Sequence, residues 1–331
     1  MSDQDKMKAS AREAMVHVMS LKKEDTVLVV TDEDTRKIGE AFLAAAVECG
    51  CETEMVLLPE EDRPFKEIPP ALTGILENKS VVINMFKALR EETPFRVEWI
   101  RRITDPKSIR LGHGPGITES MMIHGPMNVD YKEMLDTAQK LMKSFEGAKS
   151  AHITSPAGTD LVLDIEDRTF KTDVEITDDN AGNLPCGEIW CGPNESGANG
   201  ILVIDGSIGD VGNVPDPLRI TIKNGKIDSL ECADQALLEE IKKLTSLDEE
   251  ACVIGELGIG LNPGARLTGH LLEDEKALHT AHIAFGNNED MPGGRNRSRT
   301  HRDFLFYKPT FLITFKDGGT KVLIEDGDIR V

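Results

Sequence analysis

Short apolar runs alternate with amphipathic stretches in the first part of the chain. An apolar run at residues 26–31 is followed by a helical pattern at 35–49 and by a second apolar run at 54–58. The alternation continues with an apolar run at 80–85 and a helical pattern near 94–103. Strand-length runs that alternate with helices are typical of βαβ units. The N-terminal part therefore predicts a parallel sheet covered by helices.

The pattern changes after residue 149 to strands that alternate apolar with polar residues. The run LRITIKNGKIDSLE contains the Asn224-Gly225 pair, which is typical of a two-residue hairpin turn. Helical patterns cover residues 234–244 and 272–279, and the runs FLITF and KVLIE predict a last hairpin. The predicted fold is an N-terminal parallel-sheet α/β domain, residues 1–149, followed by a mostly antiparallel α+β domain, residues 150–331.

Composition and charge exclude several classes of protein. With 39% hydrophobic and 29% charged residues, the chain has the composition of an ordinary globular protein. Its formal net charge of -20, without a long basic run, disfavours nucleic acid as a partner because phosphate backbones are repelled. The turn after the first strand, VTDEDTRKIG, lacks the glycine spacing of a dinucleotide-binding loop. We therefore expect no nicotinamide site.

The N-terminus, the hydropathy and the cysteines indicate the compartment. The first residues are polar and lack a secretory pattern, and no apolar run approaches membrane-spanning length. The six cysteines are scattered over a long chain, which is typical of reduced thiols. We expect a cytoplasmic protein with no membrane partner.

Side chains that can bind metal ions are concentrated in three segments of the second half. Each segment is rich in glycine, asparagine and proline, which allow the tight turns that bring distant side chains together. Loops held on a rigid scaffold are also where functional sites usually form. The segments are residues 183–200, 255–266 and 279–303.

The last of these segments ends in the motif His301-Arg302-Asp303. In an extended stretch the imidazole and the carboxylate lie on one face and the guanidinium on the other. Such a pair suits zinc, manganese, cobalt or ferrous iron better than calcium or magnesium. A surface ion pair is the alternative, and for an isolated motif of this kind it is the commoner one.

His279 and His282 lie three residues apart at the end of a predicted helix, a spacing at which both can face one side. One of them suffices as a ligand. For His282, which is followed by Ile283 and Phe285, a hydrogen-bonded core histidine is the alternative.

Glu188 and Glu256 each follow a glycine in apolar or turn-like surroundings, where an unpaired carboxylate is costly to bury. A metal ion or an arginine would supply the missing partner. Together with the histidines and the aspartate, these glutamates have the composition of a two-metal hydrolytic site. The predicted metal ligands are Glu188, Glu256, His282, His301 and Asp303.

These residues resemble a family, the M29 metallopeptidases, also called the aminopeptidase T and aminopeptidase S family. The resemblance is clearest from residue 151 to residue 331. It rests on a GTD strand, a PxGE turn, a GExxxGxN segment, an HIAxG turn and a late HxD. These motifs match Gly158 to Asp160, Pro185 to Glu188, Gly255 to Asn262, His282 to Gly286, and His301 to Asp303.

The resemblance implies a metal-dependent aminopeptidase. It implies two divalent ions (Zn, Co or Mn) on the five predicted ligands, a bridging hydroxide as nucleophile, a peptide substrate and a homodimer. Glu188 or Glu256 would relay the proton. The tyrosine that the family places shortly after the HIAxG turn is missing. Glu289 stands near that place, so either this acid or Tyr307 would take the role.

Two other functions stay open. The resemblance extends to ring-cleaving dioxygenases acting on dihydroxypyridine, whose single Fe(II) is held by two histidines and one carboxylate. His282, His301 and Asp303 would form that set. The third possibility is a protein that binds metal without turnover.

Several weaker signals have a plain structural interpretation. Cys186 and Cys191 are expected to be small buried hydrophobes, and Asp274 and Glu275 to lie on a solvated helix face. Solvated loop charges are expected at Arg295, Arg297 and Arg299, and turn-stabilising roles at His113 and His124.

Overall fold

The computed structural model of the chain describes residues 1–105, 108–176 and 181–331. Its contacts divide the chain into two units. The first consists of Met1–Leu135 and Asp173–Cys186, and the second of Asp136–Thr172 and Gly187–Val331. This division assigns residues 136–149 to the second unit and residues 173–186 to the first.

The helical patterns predicted at residues 35–49 and 94–103 are confirmed, and helices are sparse in the second unit. Within the described residues, no helix is both long and apolar enough to cross a membrane. Short 3-10 turns lie at Pro70–Leu72 and Arg90–Glu92. The α-helices are α1 (Asp3–His17), α2 (Arg36–Glu48), α3 (Thr93–Thr104), α4 (Glu119–Ile123), α5 (Tyr131–Ser144), α6 (Gln235–Leu244) and α7 (Leu271–Asp274).

A parallel sheet forms the centre of the first unit, as predicted. Its order is β2-β1-β3-β4-β8, and every neighbouring pair is parallel. All residues of β3 are buried, as expected of a strand covered on both faces. The strands are β1 (Thr26–Thr31), β2 (Glu52–Leu57), β3 (Val81–Met85), β4 (Arg110–His113) and β8 (Ala181–Asn183).

Two antiparallel sheets build the second unit. An eight-stranded sheet has the order β14-β13-β10-β6-β5-β18-β19-β20, and a seven-stranded sheet has the order β12-β11-β17-β16-β15-β9-β7. The strands are β5 (Ala148–Thr154), β6 (Asp160–Asp164), β7 (Lys171–Thr172), β9 (Glu188–Cys191), β10 (Ala198–Ile204), β11 (Ser207–Ile208), β12 (Gly212–Asn213), β13 (Leu218–Lys223), β14 (Lys226–Glu231), β15 (Ile254–Gly260), β16 (Thr280–Gly286), β17 (His301–Tyr307), β18 (Thr310–Phe315), β19 (Thr320–Glu325) and β20 (Asp328–Ile329).

The two predicted hairpins are confirmed. Asn224 and Gly225 have φ of 49° and 76° and join β13 to β14, which is the conformation that a two-residue turn of this type requires. Strands β18 and β19 pair antiparallel around the second turn.

The predicted helix at residues 272–279 is wrong. The helix ends at Asp274, and His279 has a φ of 67° and leads directly into β16. The Asp274 carboxylate accepts hydrogen bonds from the backbone N–H groups of Thr268 (2.7 Å) and Gly269 (3.0 Å), which folds the chain back on itself. His282 therefore lies on a strand, and the interpretation of His279 and His282 as a helical pair is wrong.

Candidate metal centre

Four neighbouring strands of the seven-stranded sheet carry the predicted ligands. Across β15, β16 and β17, Glu256 lies opposite Ala284, which lies opposite Asp303. Two residues along β16, His282 lies opposite Gly258, and at its end Gly286 lies opposite His301. Directly opposed residues share a face, and so do residues two apart on a strand. Glu188 joins the same face because it lies opposite Gly260.

The five side chains converge on one another. His282 Nε2 lies 3.6 Å from Glu188 Oε2, 3.6 Å from Glu256 Oε1 and 3.9 Å from Asp303 Oδ1. His301 Nε2 lies 3.0 Å from Glu256 Oε2 and 3.5 Å from Asp303 Oδ1. Each imidazole thus faces a different oxygen of the Glu256 carboxylate.

Local sequence explains how the imidazoles are placed. A Cβ on Gly258 would meet His282 Nε2 at 2.0 Å, so the glycine makes room for the ring over the sheet. His301 is oriented from the other side, because its Nδ1 lies 2.7 Å from the carbonyl oxygen of Asn287. A carbonyl only accepts, so Nδ1 donates and Nε2 points to the carboxylates, as ligating histidines are usually held. The Arg302 side chain points away and donates to Asp210.

The charges of the cluster interact strongly, because Glu188, Glu256, His282 and Asp303 are buried and the partly exposed His301 lies against them. Burial opposes the charged form of His282, but the hydrogen bond with Glu256 and the charges of Glu188 and Asp303 outweigh it and raise its pKa to about 9. The pKa of His301 is raised in the same way by Asp303 and Glu256. Burial also opposes ionisation of Glu256, yet the two imidazoles lower the pKa of that carboxyl. A region so rich in ionised carboxylates favours a positive charge among them.

These residues fit a divalent metal ion. Ligand atoms of Glu256, His282 and Asp303 lie within 4.8 Å of one another, and all three side chains are buried. Mixed imidazole and carboxylate donors are those of zinc, manganese, cobalt and ferrous iron sites.

A buried lysine at the cluster was not predicted from the sequence. Lys276 has no exposed surface, and its ammonium contacts Glu188 Oε1 and lies 2.8 Å from Glu275 Oε1. The expectation that Asp274 and Glu275 lie on a solvated helix face is wrong, since Asp274 is fully buried and the Glu275 side chain is only 13% exposed. The only signal for Lys276 was its position shortly before the apolar stretch around His282.

The remaining candidates have other partners. Glu289 pairs with Arg297 at 2.8 Å, with 48% of its side chain exposed. His279 lies 3.3 Å from Asp328. Tyr307 ends β17 with 40% of its surface exposed, and burial of its hydroxyl raises its pKa.

Two cysteines and a buried histidine have structural roles. Cys186 and Cys191 are buried, as expected, and burial raises the pKa of Cys191. His113 packs edge-on against Phe86, and burial lowers its pKa to about 3, so it is neutral.

Comparison with known proteins places this centre in a family. The model of the thermophilic metalloprotease (M29) family matches residues 125–329, and no curated protein sequence matches. Among solved structures, wild-type AmpT from Thermus thermophilus superposes with a TM-score of 0.73 at 16% identity, over 100% of both chains. The 2,5-dihydroxypyridine dioxygenase from Pseudomonas putida superposes with a TM-score of 0.72 at 19% identity, over 100% of this chain and 98% of that chain.

At these identities the two structures establish a shared fold and nothing further. The family model covers more than half of the 331 residues, including every predicted ligand. It indicates a peptidase, and its metalloprotease description agrees with the donor set of the cluster. The chain therefore belongs to the thermophilic metalloprotease family M29.

Proposed function

We propose that the protein is a metal-dependent aminopeptidase that releases residues from the free N-termini of peptides. In this proposal Glu188, Glu256, His282, His301 and Asp303 hold two divalent ions (Zn, Co or Mn). The observation that carries it is the placement of Glu256, whose two oxygens lie 3.6 Å and 3.0 Å from the Nε2 atoms of His282 and His301. Glu256 would therefore hold a metal ion together with His282 and with His301.

The residues divide the work in a definite way. Ions bound in such a site supply an activated water and polarise the scissile carbonyl. Glu256 and Asp303 each face both imidazoles and fix the positions of His282 and His301 relative to each other. Glu188 or Glu256 passes the proton to the leaving amine. The active-site tyrosine that the family places after the HIAxG turn is absent. Glu289 or Tyr307 takes its place in this proposal, and the side chains of both reach solvent.

The two-ion site supports a substrate with a free N-terminus. In this proposal the carboxylates Glu188, Glu256 and Asp303 lie together and neutralise most of the charge of the ions. The bound ions would leave a place for the neutral amine of a peptide N-terminus next to the bond that is cut. The proposal also includes a cytoplasmic location and a homodimer. Light scattering would detect the homodimer as twice the chain mass of 36.4 kDa.

Metal analysis and a peptide panel test the proposal. The protein is purified without an affinity metal, and its metal content is measured by elemental analysis. It is then assayed on leucyl and aromatic peptides, with the N-acetylated peptides as matched controls. We expect two ions per chain and release of the first residue from the free peptides alone. Cleavage of the acetylated peptides at the same rate, or no cleavage with the metal present, contradicts an aminopeptidase.

A second candidate is a mononuclear Fe(II) dioxygenase that opens a hydroxylated pyridine ring. It is supported by the shared fold and by the Asp303 Oδ1 atom, which lies 3.9 Å from His282 Nε2 and 3.5 Å from His301 Nε2. Two histidines and one carboxylate form the usual set for such an iron. One iron per chain with oxygen uptake on 2,5-dihydroxypyridine would favour this function. Metal without either activity would favour a binding protein.

A further inference from the structure

Lys276 is the least expected group of the metal centre. It is fully buried, and among the described residues it contacts Glu188 and Glu275, whose side chains are only 9% and 13% exposed. A buried ammonium is costly unless it is paired and hydrogen-bonded. A lysine in this position therefore needs both carboxylates, and they in turn are held by it.

The backbone around Lys276 is fixed independently of the centre. The Lys276 carbonyl accepts a hydrogen bond from the N–H of Asn262 at 2.8 Å, and Asn262 lies two residues beyond the end of β15. A Cβ on Gly260 would meet the carbonyl oxygen of Ala277 at 2.1 Å, so the turn lies directly against the strand. The ammonium is thus delivered to the cluster by a turn that is anchored on the sheet.

The two oxygens of Glu188 face different groups. Oε1 contacts the Lys276 ammonium, whereas Oε2 lies 3.6 Å from His282 Nε2. Because a carboxylate is planar, holding one oxygen sets the direction of the other. We propose that Lys276 is a positioning residue of the metal centre, which holds Glu188 by Oε1 so that Oε2 is directed to the cation beside His282. This inference rests on the metal binding of the proposed function and is independent of the peptide substrate.

The obvious objection is that an ammonium so near the cluster repels a cation. The two effects have opposite signs. Loss of positioning weakens metal binding in Lys276→Met, whereas loss of repulsion strengthens it. Methionine has an unbranched side chain of similar shape and no ammonium, so the sign of the change in affinity shows which effect is larger.

Zinc affinity of the full-length, metal-freed protein is the measurement, by calorimetric titration with Zn²⁺ alone. We expect K276M to bind about tenfold more weakly, within the range for loss of a group that orients a ligand. The matched control is K242M in the same unit, which removes an exposed lysine lying 2.8 Å from Glu239. We expect it to bind as the unaltered protein does.

A double-variant cycle with E188Q shows whether Lys276 acts through Glu188. If it does, E188Q and E188Q/K276M bind zinc within about twofold of each other. This comparison keeps the proposal open to contradiction if K276M alone fails to fold, because a further tenfold loss in the double variant would show that Lys276 does not act through Glu188.

Three results overturn the proposal: unchanged binding in K276M, tighter binding in K276M, or a further tenfold loss when K276M is added to E188Q. If the unaltered protein binds no zinc, manganese or cobalt, the proposed function fails instead. Activity on peptides does not enter either comparison.

Discussion

Each unit of the molecule buries a cluster of carboxylates, and the two clusters differ in what neutralises them. In the first unit Arg63 lies between Asp32 and Glu92, at 2.8 Å and 3.0 Å. Backbone N–H groups of Lys87 and Phe65 donate to the same two carboxylates. Every one of these donors keeps its proton at any ordinary pH.

The cluster of the second unit is neutralised by groups that exchange their charge. Glu256 and Asp303 face His282 and His301, which are positive only when protonated. The Lys276 amine lies against Glu188 and Glu275 in the same cluster. The carboxylates of the first cluster are paired with permanent donors, so that cluster has a structural role. The carboxylates of the second cluster are paired with protonated histidines, and a metal cation can replace those protons.

The position of the first cluster strengthens the comparison. Asp32 follows β1 and Lys87 lies just beyond β3, at the carboxyl ends of two strands from which the sheet extends in opposite directions. Ligands usually bind at such a switch point in an open α/β sheet. Here the protein's own Arg63 holds the acidic side chain at that point.

Removing the fixed cation of the first unit has the largest expected effect on stability. Arg63→Met leaves Asp32 and Glu92 buried with no opposite charge, which typically costs about 3–5 kcal/mol of unfolding free energy. Urea unfolding measures the loss, and zinc affinity is expected to stay unchanged. The control Arg36→Met removes an exposed arginine paired with Glu40, for which we expect about 0–1 kcal/mol. Equal losses in the two variants would contradict the structural role of Arg63.

Removing an exchangeable partner should abolish the function and spare the fold. His301→Ala deletes the imidazole that faces Glu256 and Asp303, so we expect zinc affinity to fall by at least about 100-fold and peptide cleavage to disappear. Calorimetry and the peptide assay measure both. His152→Ala, in the same unit, removes an exposed histidine paired with Asp160 and serves as control. A fully active His301→Ala variant would remove this residue from the site.

The stability of the metal-free protein should depend on pH in a direction set by the histidines. His282 has its pKa raised from 6.5 to about 9 in the folded state. The stabilisation of the fold by protonated His282 is fully present below pH 6.5 and is lost as the pH rises through 9. The free energy of unfolding falls by about 3 kcal/mol over this range. The lowered pKa values of Glu256 and Asp303 act oppositely, and their contribution is lost in acid.

Urea unfolding between pH 6.5 and 9, with chelator and with zinc, tests this dependence. Bound zinc requires neutral imidazoles, so it should remove the alkaline loss of stability. If the unfolding free energy changed with pH to the same extent with and without zinc, the histidines would not exchange their protons for metal.

The smallest effect is expected at Glu289, whose ion pair with Arg297 is exposed. Glu289→Gln should change the unfolding free energy by no more than about 0.5 kcal/mol and leave zinc affinity unaltered. Urea unfolding and calorimetry check both quantities. A tenfold fall in zinc affinity would place Glu289 among the ligands. A selective fall in turnover would support its role in place of the family tyrosine.

Much of the fold was accessible from local patterns. The apolar runs of the first unit predicted β1 and β3, and the Asn224-Gly225 pair predicted its hairpin, because these features depend on neighbouring residues only. The motif His301-Arg302-Asp303 likewise indicated two ligands on one face, as β17 places them.

The sequence by itself determined which side chains are able to bind metal and which motifs resemble the family. Only the tertiary structure decided that the run LLEDEK is a short helix and turn that is largely buried and not solvated, and that its lysine lies at the centre. Whether a charge can be buried depends on partners that arrive from elsewhere in the chain, and Glu188 lies 88 residues from Lys276. The pattern of neighbouring residues does not predict such a distant partner.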